Sequence, residues 1–181
     1  IYMQEHAYGK PTSELKVIGE SDHTGTTIIF HPDATIFTET VYEFDTLARR
    51  MRDLAYLNAG ITLTLSDYRE LDENGNPRSE TFYSEEGLKE FVELIDKNET
   101  HLIEDVIHIN TEKNGVPVEV AITYNTSFKE NIFTYVNNIN TIEGGTHLTG
   151  FRRGLTSTLK KYADDNKLLD KVKIEISKED F

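Results

Sequence analysis

The spacing of apolar residues changes several times along the chain. Residues 2–31 read as extended segments. Leu15-Lys16-Val17-Ile18 is apolar and β-prone, and Gly19-Glu20-Ser21-Asp22-His23 is a turn cluster. Thr26-Thr27-Ile28-Ile29-Phe30 is β-branched and unbroken by polar alternation, which predicts a strand buried on both faces, and His31-Pro32-Asp33 stops it. The period then becomes helical. Leu47, Met51 and Leu54, widened by Ala48 and Ala55, predict a helix over 45–57. Asp45 is its candidate N-cap and Asn58-Ala59-Gly60 its stop. Arg49, Arg50 and Arg52 lie off the apolar stripe and read as a solvated face. Ile61, Leu63 and Leu65 alternate with threonines as a half-buried strand. Charged residues 67–80, with Asn74-Gly75-Asn76-Pro77, read as an exposed loop or a long hairpin.

Leu88, Phe91, Val92 and Ile95 give a helix over 85–96 with Ser84 as cap. Val106-Ile107-His108-Ile109 is a strand, Asn114-Gly115 a hairpin turn, and Val118, Val120, Ile122 and Tyr124 alternate strictly. Asn125-Thr126-Ser127 turns the chain, and 132–139 returns as a third strand. Residues 105–139 therefore read as an antiparallel meander. After Gly144-Gly145, a helix from Thr146 carries Leu148, Phe151, Leu155, Leu159 and Tyr162 on one face. Val172, Ile174 and Ile176 alternate as a last strand. The pattern is a mixed α+β architecture, with two subdomains meeting near 84–100.

Composition narrows this picture. At 181 residues the chain can bury a core without disulfides or metals, and it has no cysteine, which excludes thiol catalysis and cysteine-based zinc sites. No apolar run is long enough for a membrane span, and no signal peptide is recognisable. The first residue is Ile1 rather than Met, so the chain reads as an excised piece. The net charge of −13 argues against nucleic-acid binding if it is evenly spread. It is not. Residues 144–163 carry Arg152, Arg153, Lys160 and Lys161 and no acid. On a helical wheel Arg153 and Lys160 point away from the apolar face, bordered by Thr149 and Thr156, and Arg152 lies at its margin. Arg, Thr, Thr and Lys on one face suit phosphate oxygens. The same four residues also suit an ordinary solvated face, and the pattern does not choose.

Other chemistry is sparse. The six histidines, at 6, 23, 31, 101, 108 and 147, form no i, i+4 pair and no His-x-His, so a metal site is unsupported. There is no Gly-x-Ser-x-Gly elbow and no Walker A lysine loop. Gly144-Gly145-Thr146-His147-Leu148-Thr149-Gly150 is a glycine-bounded helix start, open to two readings: an anion site at its amides, or a tight turn with a cap. Thr24-Gly25-Thr26 has the same ambiguity. Asn98-Glu99-Thr100 and Asn125-Thr126-Ser127 match the glycosylation sequon by a pattern common by chance.

Two segments are more specific. Gly19-Glu20 with Thr24-Gly25-Thr26-Thr27-Ile28-Ile29-Phe30-His31-Pro32-Asp33 resembles the T-G-T-x-x-x-F-x-P-D segment of the bacterial DNA gyrase B family. Residues 137–152, Asn-Asn-Ile-Asn-Thr-Ile-Glu-Gly-Gly-Thr-His-Leu-Thr-Gly-Phe-Arg, resemble that family's N-N-I-x-T-x-x-G-G-T-H-x-x-G-F-R signature. Residues 54–61 and 111–116 match in order and spacing between them. The signature is shared with type IIA topoisomerase ATPase subunits generally, so the ATPase subunit of the related topoisomerase IV is an alternative. A stand-alone acidic interaction module is a third reading, of a different class.

The resemblance implies a fold and a set of roles. Residues 1–84 are expected to be the C-terminal half of an ATPase domain of the Hsp90 and histidine-kinase (GHKL) type. Residues 85–181 are expected to be a partial transducer domain with a ribosomal-S5-like fold. Thr26 matches the threonine on the floor of the nucleotide pocket, near adenine and its bound water, with Gly25 and Ile28 on the same strand. Arg152 matches a basic position on the transducer helix that faces the DNA cavity. Arg153 and Lys160 are added from the helical wheel. The implied cofactors of the whole protein are ATP and Mg2+. Its implied partners are double-stranded DNA, the gyrase A protein and a second copy of gyrase B in a clamp dimer, in the cytoplasm with no membrane. The matched segments do not include the family's catalytic glutamate, magnesium-binding asparagine, glycine-rich lid or transducer lysine. The chain is therefore expected to couple nucleotide state to clamp closure without holding ATP or being catalytic alone.

Overall fold

The computed structural model describes residues 1–127 and 129–169. They fall into two units divided between Tyr42 and Glu43. The expected strand at Val172, Ile174 and Ile176 lies outside the described residues.

The first unit begins with an antiparallel arm. Its four short strands are β1 (Tyr2–Met3), β2 (His6–Ala7), β3 (Lys10–Pro11) and β4 (Lys16–Val17). They pair as β1 with β4 and β2 with β3, one inside the other. The arm reverses at Tyr8 and Gly9, whose φ values of 52° and 76° are those of a tight hairpin turn. Residues 26–30 form no strand, contrary to the apolar pattern. Ile28, Ile29 and Phe30 are 79%, 92% and 69% exposed. A β-branched run has strand propensity, but a strand needs a ladder partner, and no described segment pairs with this one. The stop at Asp33 does form. Its Oδ1 accepts from the backbone N–H and hydroxyl of Thr35 at 2.8 and 2.7 Å, which holds its carboxyl below the usual range.

The second unit is built on α1 (Phe44–Leu57), which packs on the hairpin of β5 (Leu63–Leu71) and β6 (Pro77–Phe82). The charged stretch 67–80 is therefore a long hairpin. Asp72 closes it by accepting from the N–H groups of Asn74 and Asn76 at 2.8 Å each. Phe44, Ala48, Ala55 and Phe82 form the buried core, with Met51, Leu63 and Leu65 against it. The helix starts before Asp45 because burying Phe44 draws it into the first turn. Glu43 is the N-cap, without a side-chain cap bond, and Asp45 pairs instead with Arg78 on β6. The Arg78 guanidinium lies 3.9 Å from the centre of the Phe44 ring. Arg52 likewise covers Phe82 and bonds Glu80 at 2.9 Å, so the arginine face of α1 is engaged with β6 as well as solvated.

The chain then turns into α2 (Leu88–Ile95). Ser84 is 1% exposed. Its Oγ accepts from the Gly87 N–H at 2.8 Å and donates to Glu90 at 2.9 Å. Glu90 also accepts from the N–H groups of Glu85 and Glu86, so serine and glutamate cap the turn reciprocally. Gly87 has a φ of 63°, and a Cβ there would meet the Tyr56 carbonyl at 3.2 Å and Ala59 at 3.3 Å. The glycine lets α2 start directly against the end of α1, where Gly60 N–H also donates to Ser84 O at 2.8 Å.

β7 (Ile107–Lys113) and β8 (Val116–Ile122) form a seven-pair hairpin closed by Asn114-Gly115, with φ values of 54° and 77°. The expected third strand over 132–139 is not continuous. β9 (Tyr135–Val136) and β10 (Ile139–Asn140) pair with each other around Asn137-Asn138, both at positive φ. Two consecutive left-handed asparagines reverse the chain, so residues 135–140 fold back instead of extending beside β8. Finally α3 (Gly145–Asp165) runs for 21 residues. All named strands are antiparallel and the fold is α+β, as expected. No helix among the described residues is long and apolar enough to cross a membrane.

Ser84→Ala removes both bonds of a buried hydroxyl and is expected to cost about 1–2 kcal/mol in urea unfolding. Glu90 titrates below its ordinary 4.5, mainly because the Glu86 N–H stabilises the carboxylate. Its contribution is present above that pH and is lost as pH falls through the lowered value. Unfolding midpoints measured from pH 7 to 3 should therefore fall less steeply for Glu90→Gln than for the wild-type protein.

Candidate functional site

Two sets of sequence-predicted residues lie in different units, and each has its own surroundings. On α3, Leu148, Thr149, Arg152 and Arg153 line one shallow groove. Arg153 is exposed and Lys160 lies two turns further along, also exposed. Arg152 is about a third exposed and ion-pairs through Nη2 with Glu130, while its Nε is buried without a hydrogen-bond partner. The threonines expected to offer hydroxyls turn back on their own helix. Thr156 Oγ1 donates to Arg152 O at 2.8 Å and Thr149 Oγ1 to Gly145 O at 3.4 Å. The face is therefore cationic, and Arg152 on it is held by a carboxylate.

The start of α3 is built by backbone geometry. Gly144 and Gly145 have φ values of 83° and 74°. A Cβ on Gly144 would come within 2.7 Å of Leu148 Cδ2, and one on Gly145 within 3.0 Å of the His147 ring. The pair therefore serves as a left-handed turn into the helix. The turn is pinned upstream, where Gly144 N–H donates to Thr141 O at 2.7 Å, and Thr141 in turn bonds Thr134 through backbone and hydroxyl.

In the first unit, Gly25, Thr26 and Ile28 lie in the uncovered run described above. A Cβ on Gly25 would meet nothing within 4 Å. They offer a hydroxyl and an apolar wall, and no described strand holds them as a floor.

Other polar groups gather without a local sequence signal. Asp96, at the end of α2 and 3% exposed, accepts from Asn125 Nδ2 and lies 3.1 Å from His101 Nε2. Tyr135 sits near Asp53 and Arg50 of α1. Burial, then the Asp53 carboxylate, pushes its hydroxyl's pKa up. Among the described residues no group of three or more His, Asp or Glu could hold a metal ion.

A family model described as DNA gyrase B matches residues 87–181, more than half of the chain. The chain belongs to the DNA gyrase B family. A DNA gyrase B protein from Eisenibacter elegans is 53% identical over 181 residues, covering all of this chain and 38% of that protein. The Cytophaga aurantiaca protein of the same name is 50% identical with the same coverage. The chain thus spans well under half the length of these curated relatives. A solved structure of the 43K ATPase domain of Thermus thermophilus gyrase B, in complex with an aminocoumarin, superposes with a TM-score of 0.81 at 29% identity. It covers 99% of this chain and 48% of that one. The part matched by the gyrase B family model runs from the start of α2 through α3, so it contains the double-glycine turn and the cationic groove.

Proposed function

We propose that this chain is the section of a DNA gyrase B protein joining the end of its ATPase domain, residues 1–84, to the start of its transducer domain, residues 85–181. The observation that carries this reading is identity above half, across every position of the chain, to a protein of that name. The family-model match beginning at 87, just after the Ser84 cap, supports the boundary. The whole protein would use ATP to close a dimeric clamp on double-stranded DNA and change its supercoiling. It would act in the cytoplasm with gyrase A and a second copy of gyrase B.

Within that protein, Thr26 would hold the ordered water that reads the adenine edge, with Gly25 and Ile28 beside it. A hydroxyl and an apolar wall fit the base. They offer no charge for a triphosphate, and the described residues provide no ligand cluster for Mg2+. The part of nucleotide binding that falls to this chain is therefore recognition of the base. Arg152, Arg153 and Lys160 would meet the DNA backbone, with Arg152 exchanging Glu130 for a phosphate oxygen. The groove beside Thr149 supports this placement.

The full-length protein, reconstituted with gyrase A, should introduce negative supercoils into relaxed plasmid only with ATP. Decatenation without supercoiling would assign it to topoisomerase IV, and inactivity in both assays would overturn the reading. Replacing Arg152, Arg153 and Lys160 by alanine should weaken DNA binding and flatten log K against log salt by about 1 per lost phosphate contact. An unchanged slope would return these residues to ordinary surface cations.

A further inference from the structure

Two hydrogen bonds in the second unit join positions 88 and 80 residues apart. Arg50 Nη2 on α1 donates to the Asn138 carbonyl at 2.5 Å. Asn138 Nδ2 donates to Asn58 Oδ1 at 3.0 Å. Asn58 is the C-cap residue of α1, and its own amide donates to Leu54 O at 2.8 Å. One residue of the β9–β10 reversal is thus gripped by α1 through both its backbone and its side chain.

The reversal leads directly to α3. Asn140 ends β10, and the next residue, Thr141, is fixed on Thr134 by backbone and hydroxyl bonds. Thr141 O accepts from Gly144 N–H, and Thr141 Oγ1 lies 3.5 Å from His147 Nε2 in the first turn of α3. Polar contacts therefore run from the end of α1, through Asn138 and the short hairpin, to the first turn of α3.

Magnitude separates this path from the packing beside it. Tyr56 of α1 stacks on Phe91, which meets Phe133 before β9, so ring contacts already bring these segments together. The Arg50 contact is exposed and the Asn138–Asn58 contact part-buried. Bonds of this kind contribute little net stability but are strongly directional. They suit a contact that sets orientation and can be broken and remade, more than one that holds the fold.

We infer that Asn138 is a positioning residue that ties the orientation of α1 to that of α3, with Arg50 and Asn58 as its two anchors. The inference rests on the function proposed above and names the contact through which the two halves of the chain are coupled. Asn138 has a φ of 64°, so Asn138→Gly keeps the left-handed turn and the carbonyl that Arg50 holds, and deletes only the amide to Asn58. Arg50→Met keeps the apolar stem and deletes the guanidinium.

Both variants would be made in the full-length protein assembled with gyrase A, and ATP turnover measured with and without saturating linear duplex DNA. Turnover without DNA should stay within about twofold of wild type, while the stimulation by DNA should fall by about 3- to 10-fold. The double variant should fall further than either single one, because each single variant leaves one of the two anchors in place. Full stimulation in both variants overturns the inference alone. Equal loss of basal and stimulated turnover also overturns it, since general destabilisation gives that result. A wild-type protein without DNA-stimulated turnover overturns the proposed function, and the inference with it.

Discussion

The ring of Phe91 joins three distant parts of the second unit. It stacks on Tyr56 at 5.1 Å between centroids and 11° between planes, and it meets Phe133 at 6.0 Å. Tyr56 belongs to α1, Phe91 to α2, and Phe133 to the segment entering β9. Three parts of the chain far apart in sequence are thus joined by one buried side chain, 8% exposed. Burying such a ring contributes about 2–3 kcal/mol, and each well-placed aromatic pair about 0.5–1.5 more. Gly87 and Ser84 make the arrangement possible, one by lacking a Cβ where α2 meets the Tyr56 carbonyl, the other by capping the turn that aims Phe91.

Charge organises the surface around this column more than it stabilises it. Arg52, Arg78 and Arg152 each hold a carboxylate, and two of them also cover a phenylalanine ring. Exposed pairs of this kind are worth about 0–1 kcal/mol, so their effect is to fix where long side chains lie. A net charge of −13 therefore coexists with a helix that bears cations and no acid for most of its length. What matters for a polyanion is the local sign along that helix, which the chain average conceals.

The sequence was most legible where the local signal and the tertiary partner agreed. Leu47, Met51 and Leu54 placed α1, Leu88 to Ile95 placed α2, and Asn114-Gly115 placed the β7–β8 turn, because each element carries its own periodicity or turn chemistry. Thr26 to Phe30 failed as a strand because propensity does not supply a ladder partner. Asn137-Asn138 carries a signal for a left-handed turn, and in the fold it outweighs the apolar run around it, whose pattern alone predicts one continuous strand. The grip of Arg50 on Asn138 and the Asp96–His101–Asn125 cluster had no local signature. Both join segments that only the tertiary fold brings together. Of the candidate site residues, Arg152 and Arg153 share a groove that the helical wheel anticipated in part, since it did not show Glu130 or the back-bonded threonines.

The double-glycine turn at the head of α3 has a mechanical consequence. A helix of 21 residues is about 32 Å long at 1.5 Å per residue. It starts at two glycines at positive φ, which are fixed upstream by a single tight hairpin. Tilting such a rod by about 10° at its head sweeps its far end through about 5 Å, by simple trigonometry on that length. Lys160, towards the far end, would travel about three-quarters as far as the tip does. A small change of angle at the double glycine would thus become a displacement of several ångströms where the cations sit.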